Sequence, residues 1–132
     1  FVADFFGSPS MNLIAGNVRN ATFEGAGVSV NLSKGFSGIA EGAYTLGVRP
    51  EHLEVSAIGS GENSFALQCE IGLVEPLGKD TLLYFDHGAE QPTIAIVDGS
   101  DGGHQAGNRM GLTIPSSALY LFDSDGRRVR GA

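Results

Sequence analysis

The residues of this chain that could do chemistry include one glycine–lysine pair resembling a phosphate-binding loop. Such a loop needs the spacing G-x-x-x-x-G-K-[S/T], because backbone amides wrap the phosphates while the Lys and the hydroxyl reach the γ-phosphate and Mg²⁺. Between Gly72 and Gly78-Lys79 five residues intervene instead of four, and Asp80 replaces the hydroxyl. A strand is also predicted to follow, where a helix is required. The pattern therefore does not predict a P-loop.

The remaining candidates for metal binding or acid–base chemistry show no suitable spacing. The histidines are far apart in sequence: His52, His87 and His104. The aspartates of the glycine-rich turns do not follow the calcium-loop pattern, because Ser100 holds a required ligand position and no Glu closes the loop. They are typical of turn formation instead. The sequence predicts no metal site.

Hydrolytic chemistry is equally unsupported by the sequence. No serine lies in a G-x-S-x-G elbow, and no Ser, His and Asp set can be singled out. Glu70 and Glu75 would point to opposite sides of a regular strand, so they do not form a carboxylate pair. We therefore expect no catalytic site in this chain.

Composition narrows the possible partners. The net charge is −7, from 8 basic and 15 acidic residues, which argues against nucleic acid and anionic lipid surfaces because both are bound through Lys and Arg. Three arginines near the C-terminus, Arg127, Arg128 and Arg130, indicate a solvated tail more than an anion site. The single Cys69 cannot form an internal disulfide, and its apolar surroundings favour a buried small hydrophobe.

The elements that would position these residues are mostly short strands. Phe1–Phe6 is predicted to be the end of a helix that Gly7-Ser8-Pro9 terminates, entering from a longer protein of which this chain is a piece. The 20 glycines indicate many tight turns between strands. Alternating apolar residues and turn signals predict strands over residues 12–18, 28–32, 44–48, 65–74, 81–85, 93–97, 110–114 and 119–122. The sequence therefore predicts an all-β barrel or sandwich.

Two stretches interrupt this regular pattern. Pro50 holds Arg49 in an extended conformation and ends the strand, so that Glu51 and His52 follow in a turn. A bend at Pro76-Leu77-Gly78 follows the longest predicted strand, before Thr81 begins its hairpin partner. We interpret both stretches as distortions within a small barrel.

Four stretches, in the right order, resemble one known family. They are Phe1–Asn12, Leu46–Leu53, Val74–Thr81 and the closing turn, Leu121-Phe122-Asp123 with Asp125-Gly126-Arg127. Together they resemble the C-terminal transport-associated OB (TOBE) domain of sugar-importer ATP-binding subunits, the maltose and glycerol-3-phosphate importer ATPase family. The resemblance implies an OB-like β-barrel or barrels of the TOBE/MOP-like type, with a short N-terminal helical remnant.

The resemblance also implies a domain division and a function. Residues 1–10 would end the linker helix from a missing ATPase domain, and residues 11–132 would form the TOBE domain. ATP and Mg²⁺ would bind in the missing domain, so this fragment would hold no cofactor and perform no catalysis. It would dimerise with a second copy, join membrane permease subunits through the parent chain, and lie at the cytoplasmic face of the inner membrane. An inhibitory protein or a metabolite is a possible further partner.

Two of the four stretches, Leu46–Leu53 and Val74–Thr81, are the hallmark stretches of this domain. Their charged residues are candidates for the interface or for regulation: Arg49, Glu51, His52, Glu75 and Lys79. We expect Arg49 and Glu51 to lie at or near a contact surface. A structural ion pair between these two residues is the competing interpretation.

Two other functions compete with this hypothesis. Related TOBE domains of molybdate systems bind the oxyanion between subunits, and Lys79, Thr81, Ser116 and Ser117 could contribute to such a site, although the negative charge of the chain disfavours it. An OB-fold nucleic-acid binder needs a basic groove with stacking aromatic residues. The aromatic candidates are Tyr44, Tyr84 and Phe85, and Lys and Arg do not surround them in sequence.

Overall fold

A computed structural model describes residues 11–33, 35–36, 38–57, 65–99 and 104–129. The helix and domain boundary predicted within residues 1–10 lie outside these described residues. The described part contains two 3₁₀ helices, Pro50–His52 and Ser116–Ala118. Its strands are β1 Asn12–Arg19, β2 Thr22–Gly25, β3 Val28–Asn31, β4 Gly42–Val48, β5 Glu54–Ala57, β6 Leu67–Leu77, β7 Asp80–Phe85, β8 Thr93–Asp98, β9 Arg109–Thr113, β10 Tyr120–Phe122 and β11 Arg128–Val129.

The strands form two antiparallel sheets. One has six strands in the order β11-β10-β4-β1-β2-β3, and the other has five in the order β5-β9-β6-β7-β8. Buried side chains of both sheets join one apolar core, with Phe23 and Leu46 contributed by the first sheet and Leu83 and Phe85 by the second. The all-β prediction is confirmed. Strands β2, β5 and β11 were not predicted, because each has a single large apolar residue, Phe23, Val55 and Val129, and so shows no clear alternation.

Two tight hairpins define the β1–β2–β3 corner. Asn20 and Ala21 have φ of 54° and 58°, and Ala26 and Gly27 have φ of 51° and 82°. Positive φ at both central residues is the type I′ geometry, which matches the twist of the flanking strands. The second hairpin turn lies in the glycine-rich segment Gly25-Ala26-Gly27.

Polar contacts join the two sheets at the edge strand β8. The buried Asn12 amide donates from Nδ2 to the Ile94 carbonyl and accepts from the Ile94 backbone N–H, both at 2.9 Å. The Asn12 side chain thus makes the two backbone hydrogen bonds that a neighbouring strand would otherwise make at this edge. Nearby, His87 lies 2.6 Å from the Ala26 carbonyl through Nδ1 and 2.6 Å from Thr93 Oγ1 through Nε2. Because the carbonyl can only accept, Nδ1 carries the proton.

A bulge reverses the direction of side chains along β6. Ile71 pairs with Phe85, but Leu73 pairs with Tyr84, so Gly72 is an extra residue between the two pairs. Such an insertion turns all following side chains to the opposite face. Ile71 is therefore buried, whereas Leu73, two residues later, is 53% exposed.

The bulge changes two expectations from the sequence. Leu73 leaves the buried alternating run that includes Cys69, and Glu70 and Glu75, expected on opposite sides of a regular strand, are both exposed. The strand also continues through Pro76, which pairs with Thr81, instead of ending before the proline. The bend predicted there is confined to the Gly78–Lys79 turn.

Candidate interaction surfaces

The structure places the five predicted interface residues in two separate locations. Arg49 precedes the first 3₁₀ helix, and Glu51 and His52 lie within it. Glu75 lies on β6 and Lys79 in the turn between β6 and β7. The two hallmark stretches therefore contribute to different elements.

The first 3₁₀ helix is held by its apolar residues. Arg49 has the extended conformation expected before a proline, with φ −76° and ψ 144°. Pro50 and Leu53 are buried, and the His52 backbone N–H donates to the Arg49 carbonyl at 3.0 Å. Glu51 and His52 are exposed. The element thus closes the core with its apolar residues and presents the two polar side chains to solvent.

An open depression of about 380 Å³ lies between the two 3₁₀ helices. Its polar lining residues are Glu51, His52, Glu54 and Ser117. Within the described ranges, no group of three or more His, Cys, Asp or Glu side chains could hold a metal ion. The depression is thus an open recess with a partly polar lining.

The β6–β7 hairpin carries a distinct exposed surface, which we call the hairpin surface: Leu73, Glu75, Leu77, Lys79 and Tyr84. Leu73 and Leu77 are each 53% exposed, and they are the large hydrophobic side chains that stand out as exposed in the described part of the chain. The strand alternation places them on the same face as Glu75. The two leucines therefore give this face of the hairpin an exposed apolar character.

A hydrogen bond orders the charged centre of the hairpin surface. The Tyr84 hydroxyl donates to Glu75 Oε1 at 2.7 Å. Because the carboxylate accepts from the neutral phenol, it raises the pKa of Tyr84 above its ordinary value. Glu75 keeps its second oxygen available for a further partner, since an ionised carboxylate has about four lone-pair sites.

The turn of this hairpin depends on glycine. Gly78 has a φ of +79°, a conformation that L side chains rarely adopt. Beyond the turn, the Lys79 carbonyl accepts the Gly99 backbone N–H at 2.6 Å. The backbone of the turn is thereby tied to the end of β8, while the Lys79 side chain is exposed.

A second exposed surface covers the outer side of β10, β4 and β1, and we call it the aromatic surface: Leu13, Ala15, Ala43, Thr45, Tyr120, Phe122 and Arg128. The rings of Tyr120 and Phe122 are stacked, with centroids 6.4 Å apart and planes 5° from parallel. The Arg128 guanidinium lies 4.4 Å from the Tyr120 centroid, and that of Arg49 lies 5.8 Å from it. Arg128, expected in a solvated tail, instead pairs in β11.

A groove of about 330 Å³ runs along the aromatic surface. Small side chains of β1 and β4, Ala15, Ala43 and Thr45, line it together with Leu13, Phe122 and the turn that begins at Asp123. Asp123 is held in that turn through Oδ1, which accepts the backbone N–H groups of Asp125 and Arg127 at 3.0 and 2.9 Å. The groove is thus mostly apolar.

Gly47 allows this side of the sheet to close. A Cβ atom at this position would lie 2.7 Å from Met11 Sδ and 3.1 Å from Phe122 Cε2. Both distances are shorter than side chains normally tolerate. The glycine in the first hallmark stretch therefore has a packing role, because it lets the Phe122 ring lie against the sheet.

Glu75, Lys79 and Arg49, which the sequence proposes as interface residues, lie on or beside these two surfaces, but the sequence did not point to the apolar and aromatic residues around them. Leu73 continues the apolar alternation of Cys69 and Ile71, a pattern that by itself predicts a buried side chain. The available signal was Gly72, since an isolated glycine inside a strand pattern often marks a bulge. Tyr120 and Phe122 gave no signal of their own, because their neighbours come from distant strands.

The residues of the two alternative functions are dispersed. Thr81 and Lys79 belong to the hairpin of the five-stranded sheet, whereas Ser116 and Ser117 lie in the second 3₁₀ helix. For nucleic-acid stacking, Phe85 is fully buried, and Tyr44 and Tyr84 are on different sheets. These three aromatic residues therefore do not form a shared stacking platform.

Cys69 is buried, and this burial raises the pKa of its thiol above the ordinary value. In the described ranges, no helix has the length and apolar character needed to cross a bilayer.

Comparison with known proteins identifies the family. Residues 46–122 match the TOBE domain family, and residues 7–53 match the MalK OB fold domain. The chain is 37% identical to the sn-glycerol-3-phosphate import ATP-binding protein UgpC of Chromohalobacter salexigens, over 98% of this chain and 34% of that protein. It is 35% identical to the xylose/arabinose import ATP-binding protein XacK of Haloferax volcanii, over 95% of this chain and 33% of that protein. The chain thus spans about a third of the length of these relatives.

A solved structure supports the fold. The cytoplasmic molybdate-binding protein ModG, with molybdate bound, aligns with a TM-score of 0.62 at 14% identity, covering 83% of this chain and 94% of that one. At this identity the similarity concerns the fold alone. The predicted OB-like, TOBE-type fold is confirmed. The chain belongs to the TOBE domain family, as a non-catalytic C-terminal domain of the kind found in sugar-importer ATP-binding subunits.

Proposed function

We propose that this chain is the dimerisation and regulatory domain of the ATP-binding subunit of an importer for sugars or related polyols. The similarity to import ATP-binding proteins over nearly the whole chain supports the importer assignment. The observation that supports dimerisation is the hairpin surface, where two leucines are more than half exposed on one face. A tethered contact of this kind keeps two nucleotide-binding domains at high effective concentration after ATP leaves.

The parent protein supplies the rest of this function. We infer that ATP and Mg²⁺ bind in a separate ATPase domain of the parent protein. The TOBE domain formed by the present chain then needs no cofactor. The parent subunit joins membrane permease subunits at the cytoplasmic face of the inner membrane, as a peripheral component. An inhibitory protein or a metabolite acting on this domain would regulate import.

The hairpin surface has the charge pattern of a two-fold contact. In a two-fold interface, each residue contacts the symmetry-related copy of another residue on the same patch. Glu75 and Lys79 lie on either side of Leu77 in sequence, with opposite charges. If Leu77 packs near the axis, Glu75 of one copy approaches Lys79 of the other. The same surface then supplies both the apolar contact and the complementary charges.

Sedimentation equilibrium with the Leu77→Asp variant tests this proposal. We expect the variant to weaken self-association at least about tenfold, because a charge replaces an apolar side chain at the centre of the contact. Ala40→Asp is the matched control, since Ala40 is also exposed and the substitution changes the net charge equally. Unchanged association of Leu77→Asp would reject the hairpin surface, and a chain that stays monomeric at all concentrations would reject self-association of this domain.

Charge reversal tests the pairing across the axis. Glu75→Lys and Lys79→Glu should each weaken the dimer, because they place like charges opposite one another. The double variant restores opposite charges and should recover most of the affinity. Additive losses in the double variant would show that the two residues do not face each other in the dimer.

A further inference from the structure

We propose that Gly99, which directly follows β8, is a positioning residue for the dimer contact. It holds the tip of the β6–β7 hairpin at the place where Lys79 of one copy meets Glu75 of the other. This inference rests on the proposed function, because it concerns the same hairpin surface. It assigns a role in self-association to a residue that has no side chain and lies at the end of the neighbouring strand.

The tip of the hairpin extends beyond the strand pairing that holds the rest of β7. The last pair between β6 and β7 is Leu77 with Asp80, and the last pair between β7 and β8 is Asp80 with Asp98. Gly78 and Lys79 form the tip and lie beyond both ladders. A Cβ atom at Gly78 would meet no described atom within 4 Å, so this side of the tip faces open space. The position of the tip therefore depends on its backbone contacts.

Gly99 makes the backbone contact that ties the tip to β8. Its N–H donates to the Lys79 carbonyl at 2.6 Å. The backbones also approach closely, because a Cβ atom at Gly99 would lie 2.7 Å from the Gly78 carbonyl oxygen and 2.8 Å from that of Lys79. Since non-bonded heavy atoms are most favourable at about 3.5–4.0 Å, a side chain at position 99 would displace the turn by about 1 Å. Backbone atoms cannot rotate away from this contact as the end of a side chain can.

The backbone conformation of Gly99 does not itself require a glycine. Gly78 has a φ of +79°, whereas Gly99 is not among the glycines with a positive φ. Alanine at position 78 would strain the turn directly, but at position 99 it keeps an ordinary conformation and acts through the displaced tip. Gly99→Ala thus changes the position of the tip separately from the conformation of the turn.

A displaced tip affects one part of the dimer contact more than the other. Glu75 is held within the β6–β7 ladder by its pairing with Leu82, whereas Lys79 moves with the tip. Hydrogen-bonded ion pairs need N···O distances of about 2.7–2.9 Å, so a shift of the Lys79 side chain disrupts its pairing with Glu75 of the other copy. Leu77 still belongs to the ladder and keeps its apolar contact. Gly99 therefore controls the charge pairing across the two-fold axis.

Sedimentation equilibrium of the Gly99→Ala variant tests this role. We expect the dissociation constant of the dimer to rise about tenfold, because the charge pairing is lost while the Leu77 contact remains. Gly35→Ala is the matched control, since Gly35 has no positive φ and a Cβ atom there would meet no described atom within 4 Å. The control should associate as the unmodified chain does. An unchanged dissociation constant for Gly99→Ala would overturn the proposal.

Charge reversal distinguishes positioning from a general loss of structure. In the unmodified chain, Glu75→Lys and Lys79→Glu each weaken the dimer and the double variant recovers affinity. Combined with Gly99→Ala, each reversal should change the dissociation constant by less than about twofold, because the two residues no longer meet at contact distance. A weaker dimer that keeps the full recovery would show that the tip has not moved, and would overturn the proposal.

A measurement on the unmodified chain makes the test independent of how the variant folds. Hydrogen exchange at the Gly99 amide should slow about tenfold between a dilute monomeric sample and a concentrated dimeric one, because the dimer contact at Lys79 holds the tip against this N–H. An exchange rate that does not respond to dimerisation would contradict the role of Gly99. A chain that stays monomeric rejects the proposed function instead. If the chain dimerises through Leu77 and the Gly99 results are negative, only the role of Gly99 is rejected.

Discussion

The hairpin surface and the aromatic surface differ in both chemistry and construction. The hairpin surface is aliphatic, with Leu73 and Leu77 beside one acidic and one basic residue, and a bulge at Gly72 turns it outward. The aromatic surface combines stacked rings with guanidinium groups and depends on Gly47, which lets Phe122 approach the sheet. A glycine lies at the key position of each surface. Gly72 is the extra residue of the bulge beside the hairpin surface, and Gly47 has no side chain to keep Phe122 away from the sheet.

This difference indicates two kinds of partner. A surface with exposed leucines and both signs of charge can be complementary to a copy of itself about a two-fold axis. A surface that combines aromatic rings with positively charged arginines is complementary to a negatively charged surface instead.

The largest expected effect separates surface leucines from core leucines. Leu83→Ala and Leu121→Ala should each lower the free energy of unfolding by about 2–5 kcal/mol, because both side chains are fully buried and leave cavities. Leu77→Ala should change it by less than about 0.5 kcal/mol, since that side chain is exposed. Urea unfolding at low protein concentration measures all three. A loss above about 2 kcal/mol for Leu77→Ala would mean that the hairpin surface is part of the core.

An intermediate effect is expected at the junction that holds the two surfaces in a fixed relation. Asn12→Ala removes both hydrogen bonds to Ile94 and leaves its backbone groups unsatisfied at a partly buried site, so we expect a loss of about 1–3 kcal/mol. Asn17→Ala, on the same strand but exposed, is the matched control and should cost less than about 0.5 kcal/mol. Hydrogen exchange at the Ile94 amide should accelerate in Asn12→Ala alone. Equal losses in the two variants would contradict the bridging role.

The smallest effect concerns pH and the centre of the hairpin surface. The Glu75 carboxylate raises the pKa of Tyr84 by accepting a hydrogen bond from its hydroxyl. Glu75→Gln should therefore move the Tyr84 titration to lower pH, towards the ordinary value of 10.0. A raised pKa in the folded state contributes stability below pH 10 that is lost as pH rises through the folded pKa. Because the pair is largely solvent-exposed, this contribution should be small. Ultraviolet titration of the phenol follows it, and an unchanged titration in Glu75→Gln would show that the bond does not persist in solution.

Several elements of the fold could be predicted because their patterns are local. Pro50 confines Arg49 to an extended conformation whatever surrounds it, and the alternation of Val28 and Val30 gives a strand with one buried face. Strands β2, β5 and β11 could not be predicted, because each has only one large apolar residue and shows no clear alternation. Strand β5 pairs with a strand distant in sequence, β9, whereas β2 and β11 pair with strands that are near them in sequence.

The candidate surfaces were only partly predictable for the same reason. Charged turn residues such as Glu75 and Lys79 are conspicuous in a sequence, and the structure places both on the hairpin surface. The exposure of Leu73 was missed, because whether an extra residue forms a bulge depends on the register with β7. All five charged residues, Arg49, Glu51, His52, Glu75 and Lys79, remain predictions as interface residues. The structure places Arg49 beside the aromatic surface, and Glu51 and His52 in the neighbouring polar depression.

By itself, the sequence determined the all-β class, the main strands, the negative charge and the membership of the TOBE family. These follow from periodicity, composition and short motifs, which are properties of contiguous residues. Only the tertiary structure decided which apolar residues are exposed and which distant side chains share a face. The bulge at Gly72 depends on pairing between β6 and β7, and the approach of Phe122 to Gly47 depends on pairing between β10 and β4. Both surfaces therefore arise from strand register, which local sequence does not specify.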